Sequence, residues 1–128
     1  MPVCGVQESP RRTMSLLDMN ISTSDGRVLA ALSGEVDLST VADVETRFEE
    51  VLRGAPALLV LDLREVTFLD SSGLRLMLRL DERQRSEGRR FTVVRGGRRV
   101  TRVLELTGAD ERLDLVSDPA ELDEDHSA

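Results

Sequence analysis

The residues best placed to do chemistry lie in Val66-Thr67-Phe68-Leu69-Asp70-Ser71-Ser72-Gly73-Leu74, where an apolar approach ends in three small polar residues directly before a helical pattern. Asp70 or Ser71 stands where a helix N-cap belongs, so a carboxylate or hydroxyl there accepts hydrogen bonds from first-turn amides. Gly73 costs a helix about 0.5–1 kcal/mol relative to alanine. Its place in the first turn therefore implies a close approach to the backbone. A partner surface is one candidate for that approach, and a spacing glycine behind an ordinary cap is the plainer one. A second pair of acids, Glu35 and Asp37, stands ahead of the next helical pattern. Two carboxylates do not complete a hard-metal shell, which leaves capping, solvation or contact with a basic partner.

The composition removes most alternatives. All 17 basic residues are arginine, and lysine, tyrosine and tryptophan are absent. A Walker-type phosphate loop and a Schiff-base enzyme both need the missing lysine, and single-strand nucleic-acid platforms need aromatic faces. A hydrolase using Ser71 or Ser72 is the competing enzymatic reading, since a serine sits at a strand-to-helix turn. It lacks the Gly-x-Ser-x-Gly elbow, its sole imidazole is His126 in a polar tail, and no lysine substitutes as base. One cysteine, Cys4, permits neither an intrachain disulfide nor a Cys/His zinc site. Cys4 and His126 both read as inert.

These residues must be held by one domain, because 128 residues suffice for a single core. The net charge of -7 argues against nucleic acid, and an apolar run such as Ala57–Leu61 is too short to span a bilayer. Without an apolar secretory segment the chain reads as cytoplasmic. Residues 1–13 read as a leader, with Met14 as an alternative start, residues 14–122 as the domain, and residues 123–128 as an acidic tail.

Leu17, Met19 and Ile21 alternate with polar residues, Asp25-Gly26 supplies a two-residue turn, and Val28–Leu32 is apolar on both faces. This predicts a hairpin with its first strand at the sheet edge. Val41, Val44, Phe48, Val51 and Leu52 then follow a 3.6-residue period, with Ser39 or Thr40 as cap and Gly54-Ala55-Pro56 as stop. The apolar strand Ala57–Leu63, a helix from about Ser71 to Glu87, a strand around Phe91–Val94, a short helix carrying Val100, Val103 and Leu104 and closed by Gly108, and an extended Leu113–Val116 complete an α/β pattern. Asp118-Pro119-Ala120-Glu121 has capping-box spacing. Strands separated by helices imply parallel crossovers. The expected fold is a mixed, mostly parallel sheet of four to five strands flanked by helices and entered by an N-terminal β-hairpin. Phe48, Phe68, Phe91 and Met77 read as core filling.

The chain resembles the bacterial anti-sigma-factor antagonists, single STAS domains whose serine in an Asp-Ser-Ser-Gly motif is phosphorylated by the anti-sigma factor they oppose. The resemblance rests on Asp70-Ser71-Ser72-Gly73, Met14-Ser15-Leu16-Leu17, Leu32-Ser33-Gly34-Glu35-Val36-Asp37, Leu61-Asp62-Leu63 and Leu104-Glu105-Leu106-Thr107-Gly108, over roughly residues 14–122. It implies Ser71 as phosphoacceptor, with Ser72 as second choice, and Asp70 and Gly73 as its support. It further implies a partner face of Glu35, Asp37, Ser39, Thr40, Ser71, Ser72, Gly73 and Arg75. The implied partners are an anti-sigma factor that is also a serine kinase and a metal-dependent serine phosphatase, and a weak homodimer is left open. No cofactor, resident metal or catalytic residue is implied. A STAS subunit bracing a lipid-transport or stress-signalling assembly is the alternative within the fold.

Charge is segregated along the chain. Residues 79–102 hold nine arginines against Asp81, Glu82 and Glu87, whereas residues 103–128 hold nine acids against Arg112. The ordinary reading is an exposed helix face screened by the acidic C-terminal region.

Overall fold

In the computed structural model, which describes residues 17–122, the alternating Leu17, Met19 and Ile21 form β1 (Leu17–Ser24) and the following apolar run forms β2 (Arg27–Val36). Asp25 and Gly26 have φ of 50° and 78°, the positive values that a two-residue hairpin turn needs to match strand twist. The strands pair antiparallel from Leu17↔Gly34 to Ser24↔Arg27. There follow α1 (Val41–Arg53), β3 (Leu58–Leu69), α2 (Ser71–Ser86), β4 (Arg90–Val94), α3 (Arg98–Leu106), the single-turn α4 (Ala109–Arg112) and β5 (Asp114–Val116). The predicted leader with Cys4, residues 14–16 and the acidic tail with His126 lie outside the described residues.

The strands stand side by side in chain order, and only β1 with β2 is antiparallel. Every parallel crossover thus steps in the same direction, so right-handed connections place α1, α2 and α3 on one face of the sheet. The main core agrees. Val44 and Phe48 of α1, Leu74, Met77 and Leu80 of α2, and Val100 and Leu104 of α3 pack in one cluster with Ala30, Leu32, Leu59, Leu61, Phe91 and Val93. The other face carries a smaller cluster, Leu58, Val60, Val94 and Val116 with Leu29, closed by Leu122. That is why Leu58–Leu63 is buried on both sides. Leu122 is brought there by a short terminal turn in which Asp118 accepts from the Ala120 amide and Glu121 from the Ser117 amide, each one residue off the reciprocal bonds of the predicted capping box.

α4 was not expected from the sequence. Gly108, with φ of 79°, ends α3 as predicted but also caps this extra turn before β5. Gly96 is needed for a different reason: a Cβ there would sit 2.4 Å from the Leu63 carbonyl oxygen, so the turn into α3 tucks directly against β3.

β3 runs six residues beyond the apolar stretch that announced it, and it does so by bulging. Its register against β2 slips between Ala31↔Asp62 and Ser33↔Glu65, and again between Gly34↔Val66 and Glu35↔Phe68. Each slip inserts a residue into β3 and resets which side chains face the core. After the second, Leu69 is buried and Phe68 is 45% exposed. The expectation that Phe68 fills the core is therefore wrong, whereas Phe48, Phe91 and Met77 are buried as expected.

Candidate functional site

Asp70 ends β3 and is the N-cap of α2. Its Oδ1 accepts from the Ser72 amide at 2.8 Å and the Gly73 amide at 3.4 Å, while its Oδ2 accepts from the Leu38 amide at 3.2 Å. One carboxylate thus satisfies two helix-terminal donors and ties the β2–α1 loop to the start of α2. Asp70 N–H closes the same junction by donating to the Val36 carbonyl at 3.1 Å.

Beside it, Asp37 organises the second loop. Its Oδ1 accepts from the Ser39 hydroxyl at 2.7 Å and from the Ser39 and Thr40 amides at 2.9 and 3.2 Å. The Ser39 hydroxyl, supported by those two amides, holds the Asp37 carboxyl below the usual carboxylate range against the opposing effect of burial. Thr40 Oγ1 accepts from the Asp37 amide and donates to the Glu35 carbonyl. Neither Ser39 nor Thr40 caps α1 with its side chain, contrary to the sequence expectation. The carboxylate two or three residues upstream does that work because it reaches both loop amides at once.

Ser71, the first residue of α2, is exposed. Thr40, Ser72 and Gly73, expected on the partner face, are buried; they shape the loops and offer little direct contact. Ser39 and Arg75 are exposed, and Glu35 and Asp37 are partly so. The close approach inferred at Gly73 is real but internal. A Cβ there would lie 2.5 Å from Leu69 Cδ1 and 2.7 Å from Val36 Cγ1, so two core strands press on the helix, where a partner surface had been the other candidate. Gly73→Ala is expected to destabilise by about 1–2 kcal/mol, with overpacking outweighing the helix-propensity gain. Urea unfolding measures this, and a more stable variant would remove the packing argument.

Two exposed apolar residues complete the surface. Leu38, whose amide bonds Asp70, is 75% exposed, and Phe68, two residues before Asp70, is 45% exposed. Neither was singled out for function from the sequence. The available signal was that Phe68 and Leu69, adjacent in a strand, cannot both face the core.

Five of the nine arginines in the basic stretch are paired with nearby acids. Arg79 pairs with Glu45, Arg83 with Glu49 at 3.6 Å and Glu87 at 3.8 Å, Arg85 with Asp81 at 3.0 Å, and Arg89 with Glu87. Of the described C-terminal acids, Asp114 engages it, through Arg90 at 3.3 Å. Among the described residues most of the acids that pair with it lie in or next to α1 and α2; residues 123–128 of the acidic tail lie outside the described residues.

The family described as Mlab, STAS domain, matches residues 19–117. Anti-sigma-F factor antagonist RsfB of Mycobacterium tuberculosis is 32% identical over 101 residues, spanning 79% of this chain and 82% of that protein. The crystal structure of an anti-sigma factor antagonist from Mycobacterium paratuberculosis superposes with a TM-score of 0.77 at 30% identity, covering 82% of this chain and 89% of that one. The anti-sigma factor antagonist SpoIIAA in its unphosphorylated form shares the fold, with a TM-score of 0.73 at 18% identity over 87% of this chain and 98% of its own.

The chain belongs to the STAS-domain family and, within it, to the anti-sigma-factor antagonists. It is a binding protein and not an enzyme, its class acting on an anti-sigma factor. No helix among the described residues is long and apolar enough to cross a membrane.

Proposed function

We propose that this antagonist is a phosphorylation-gated ligand: with Ser71 unmodified it binds an anti-sigma factor that is also an ATP-dependent serine kinase, and sigma is released. In the reverse step the γ-phosphoryl of ATP passes to Ser71 Oγ, the hydroxyl proton leaves, ADP departs and binding ends. A metal-dependent serine phosphatase hydrolyses the ester and resets the protein, all within the cytoplasm. The observation that carries this reading is the contrast at the motif: Asp70, Ser72 and Gly73 are bound into the fold, and Ser71 alone of the four is exposed. Leu38 and Phe68 supply the apolar area that a desolvated contact needs.

The test is capture of the kinase followed by transfer of labelled phosphate from ATP. Wild type and Ser72→Ala are expected to be labelled, whereas Ser71→Ala is expected to bind without accepting label. Labelling of Ser71→Ala at the wild-type level overturns the assignment. A weak homodimer along the outer edge of β1 is proposed alongside, since among the described residues β1 is a terminal strand of the sheet and edge strands are ready pairing surfaces; sedimentation that does not change with concentration removes it.

A second reading that the STAS-domain match over residues 19–117 also accommodates is a permanent STAS brace in a lipid-transport or stress-signalling assembly. A stable membrane-transporter complex indifferent to Ser71 phosphate is its distinguishing result.

A further inference from the structure

We propose that Arg75 is the phosphate-binding residue of the switched form, its guanidinium closing on phosphorylated Ser71 across one turn of α2. The inference rests on Ser71 being the phosphoacceptor and adds the group that receives the phosphate.

A phosphate on the first residue of a helix ordinarily leans on the unpaired amides of the first turn. Here the Ser72 and Gly73 amides are already engaged, and the Ser71 amide is the one first-turn donor left without a partner among the described residues. Ser72 and Gly73 donate to Asp70 Oδ1, and Leu74 donates at 3.1 Å to the Asp70 carbonyl. Releasing them would mean displacing Asp70, which also holds the Leu38 amide. Asp70 is thus a fixed negative neighbour of the phosphate, and a dianion of about -1.5 to -2 charge placed there needs a side-chain cation.

Arg75 meets that need by position. It stands four positions after Ser71 in one helix, which sets both on the same face with Cβ atoms about 5–6 Å apart. It is exposed, and no described residue forms an ion pair or hydrogen bond with it. The next arginines along α2 are engaged elsewhere, Arg79 by Glu45 and Arg83 by Glu49. A guanidinium also presents the planar fork that phosphate oxygens accept bidentately. While Ser71 is neutral, Arg75 remains available to an acidic group on the partner. Phosphorylation then alters the face twice, by adding an anion and by withdrawing a cation.

The test uses the full chain with phosphoserine encoded at position 71, so the phosphate is present whether or not any kinase selects that serine. Phosphorus NMR follows its second ionisation in otherwise wild-type protein, Arg75→Gln and Arg75→Lys. Asp70, Asp37 and Glu35 lie on the same loops in all three and cancel from the comparison. Because a guanidinium favours the dianion, the ionisation is expected about half a pH unit lower with Arg75 than with glutamine, and lysine is expected between them. The Arg75 Nε–H signal is expected to shift when Ser71 is phosphorylated. Coincident titrations with an unmoved Nε–H signal overturn the proposal. Failure of the captured kinase to label Ser71 overturns the site assignment instead, and the encoded phosphate keeps the two results separate.

Discussion

Phosphate on Ser71 is expected to weaken binding of the anti-sigma factor about a hundredfold, equivalent to about 2.8 kcal/mol. Ser71 directly follows Asp70, whose carboxylate is held by three amides, one of them that of the exposed Leu38, and Phe68 is exposed near the same end of β3. A contact that covers the apolar pair strips water from the adjoining Ser71. A neutral hydroxyl tolerates that cheaply, but a dianion loses hydration worth several kcal/mol and is repelled by Asp70. Pairing with Arg75 offsets only part of this, because the pair must itself be desolvated. The Ser71→Asp variant, with one negative charge and no tetrahedral oxygens, is expected to lose about tenfold. Calorimetric titration of the captured partner with encoded phosphoserine-71 protein measures the effect. Equal affinity for the two forms would mean that this surface is not the one that docks.

Arg64→Met is expected to cost about 2 kcal/mol at neutral pH and less as the pH falls. Asp62 is 6% exposed on the sheet face opposite the helices, and its carboxylate accepts from Arg64 Nε at 3.0 and 3.2 Å, Arg64 Nη2 at 2.8 Å and the Arg64 amide at 3.0 Å. Burial raises its proton affinity, but the arginine's hydrogen bonds and charge outweigh burial and hold the carboxyl below the usual range. Removing one side of a buried pair typically costs about 3–5 kcal/mol. The figure is smaller here because the Arg64 side chain is 47% exposed and its loss leaves the backbone amide in place.

In the wild type the depressed folded value means that the pair contributes fully above the ordinary carboxyl value of 3.8 and fades as the pH drops below it. In Arg64→Met burial is no longer opposed by the guanidinium, so proton uptake by Asp62 comes to favour the folded state. The deficit against wild type should shrink between pH 7 and pH 4, in urea unfolding at each pH. A deficit of the same size throughout would assign the loss to packing.

Every strand and every helix longer than one turn was legible from local pattern. Alternation marked β1, the Asp-Gly turn marked the hairpin, and a change to a 3.6-residue period marked α1. A cap at Asp70 or Ser71 was legible too, because capping acts within three residues, and the structure selects Asp70. What escaped was set by contacts between distant residues. Leu38 and Asp70 are 32 positions apart, and nothing local to either announces that one carboxylate serves two loops. The misreading of Phe68 has the same origin, since a bulge depends on how β3 registers against β2 and a run of residue types does not disclose it.

The amino-acid order by itself determined the α/β class, the single core and the placing of Asp70-Ser71-Ser72 at a helix start, because each follows from side-chain periodicity and from hydrogen-bond donors within one turn. Only the tertiary structure decided that all three main helices share one face, that Gly73 is pressed against Leu69 and Val36, and that Asp70 takes the Ser72 and Gly73 amides. Those outcomes depend on strand register and crossover direction, which join residues the chain separates by tens of positions and which are settled only when the sheet closes its core.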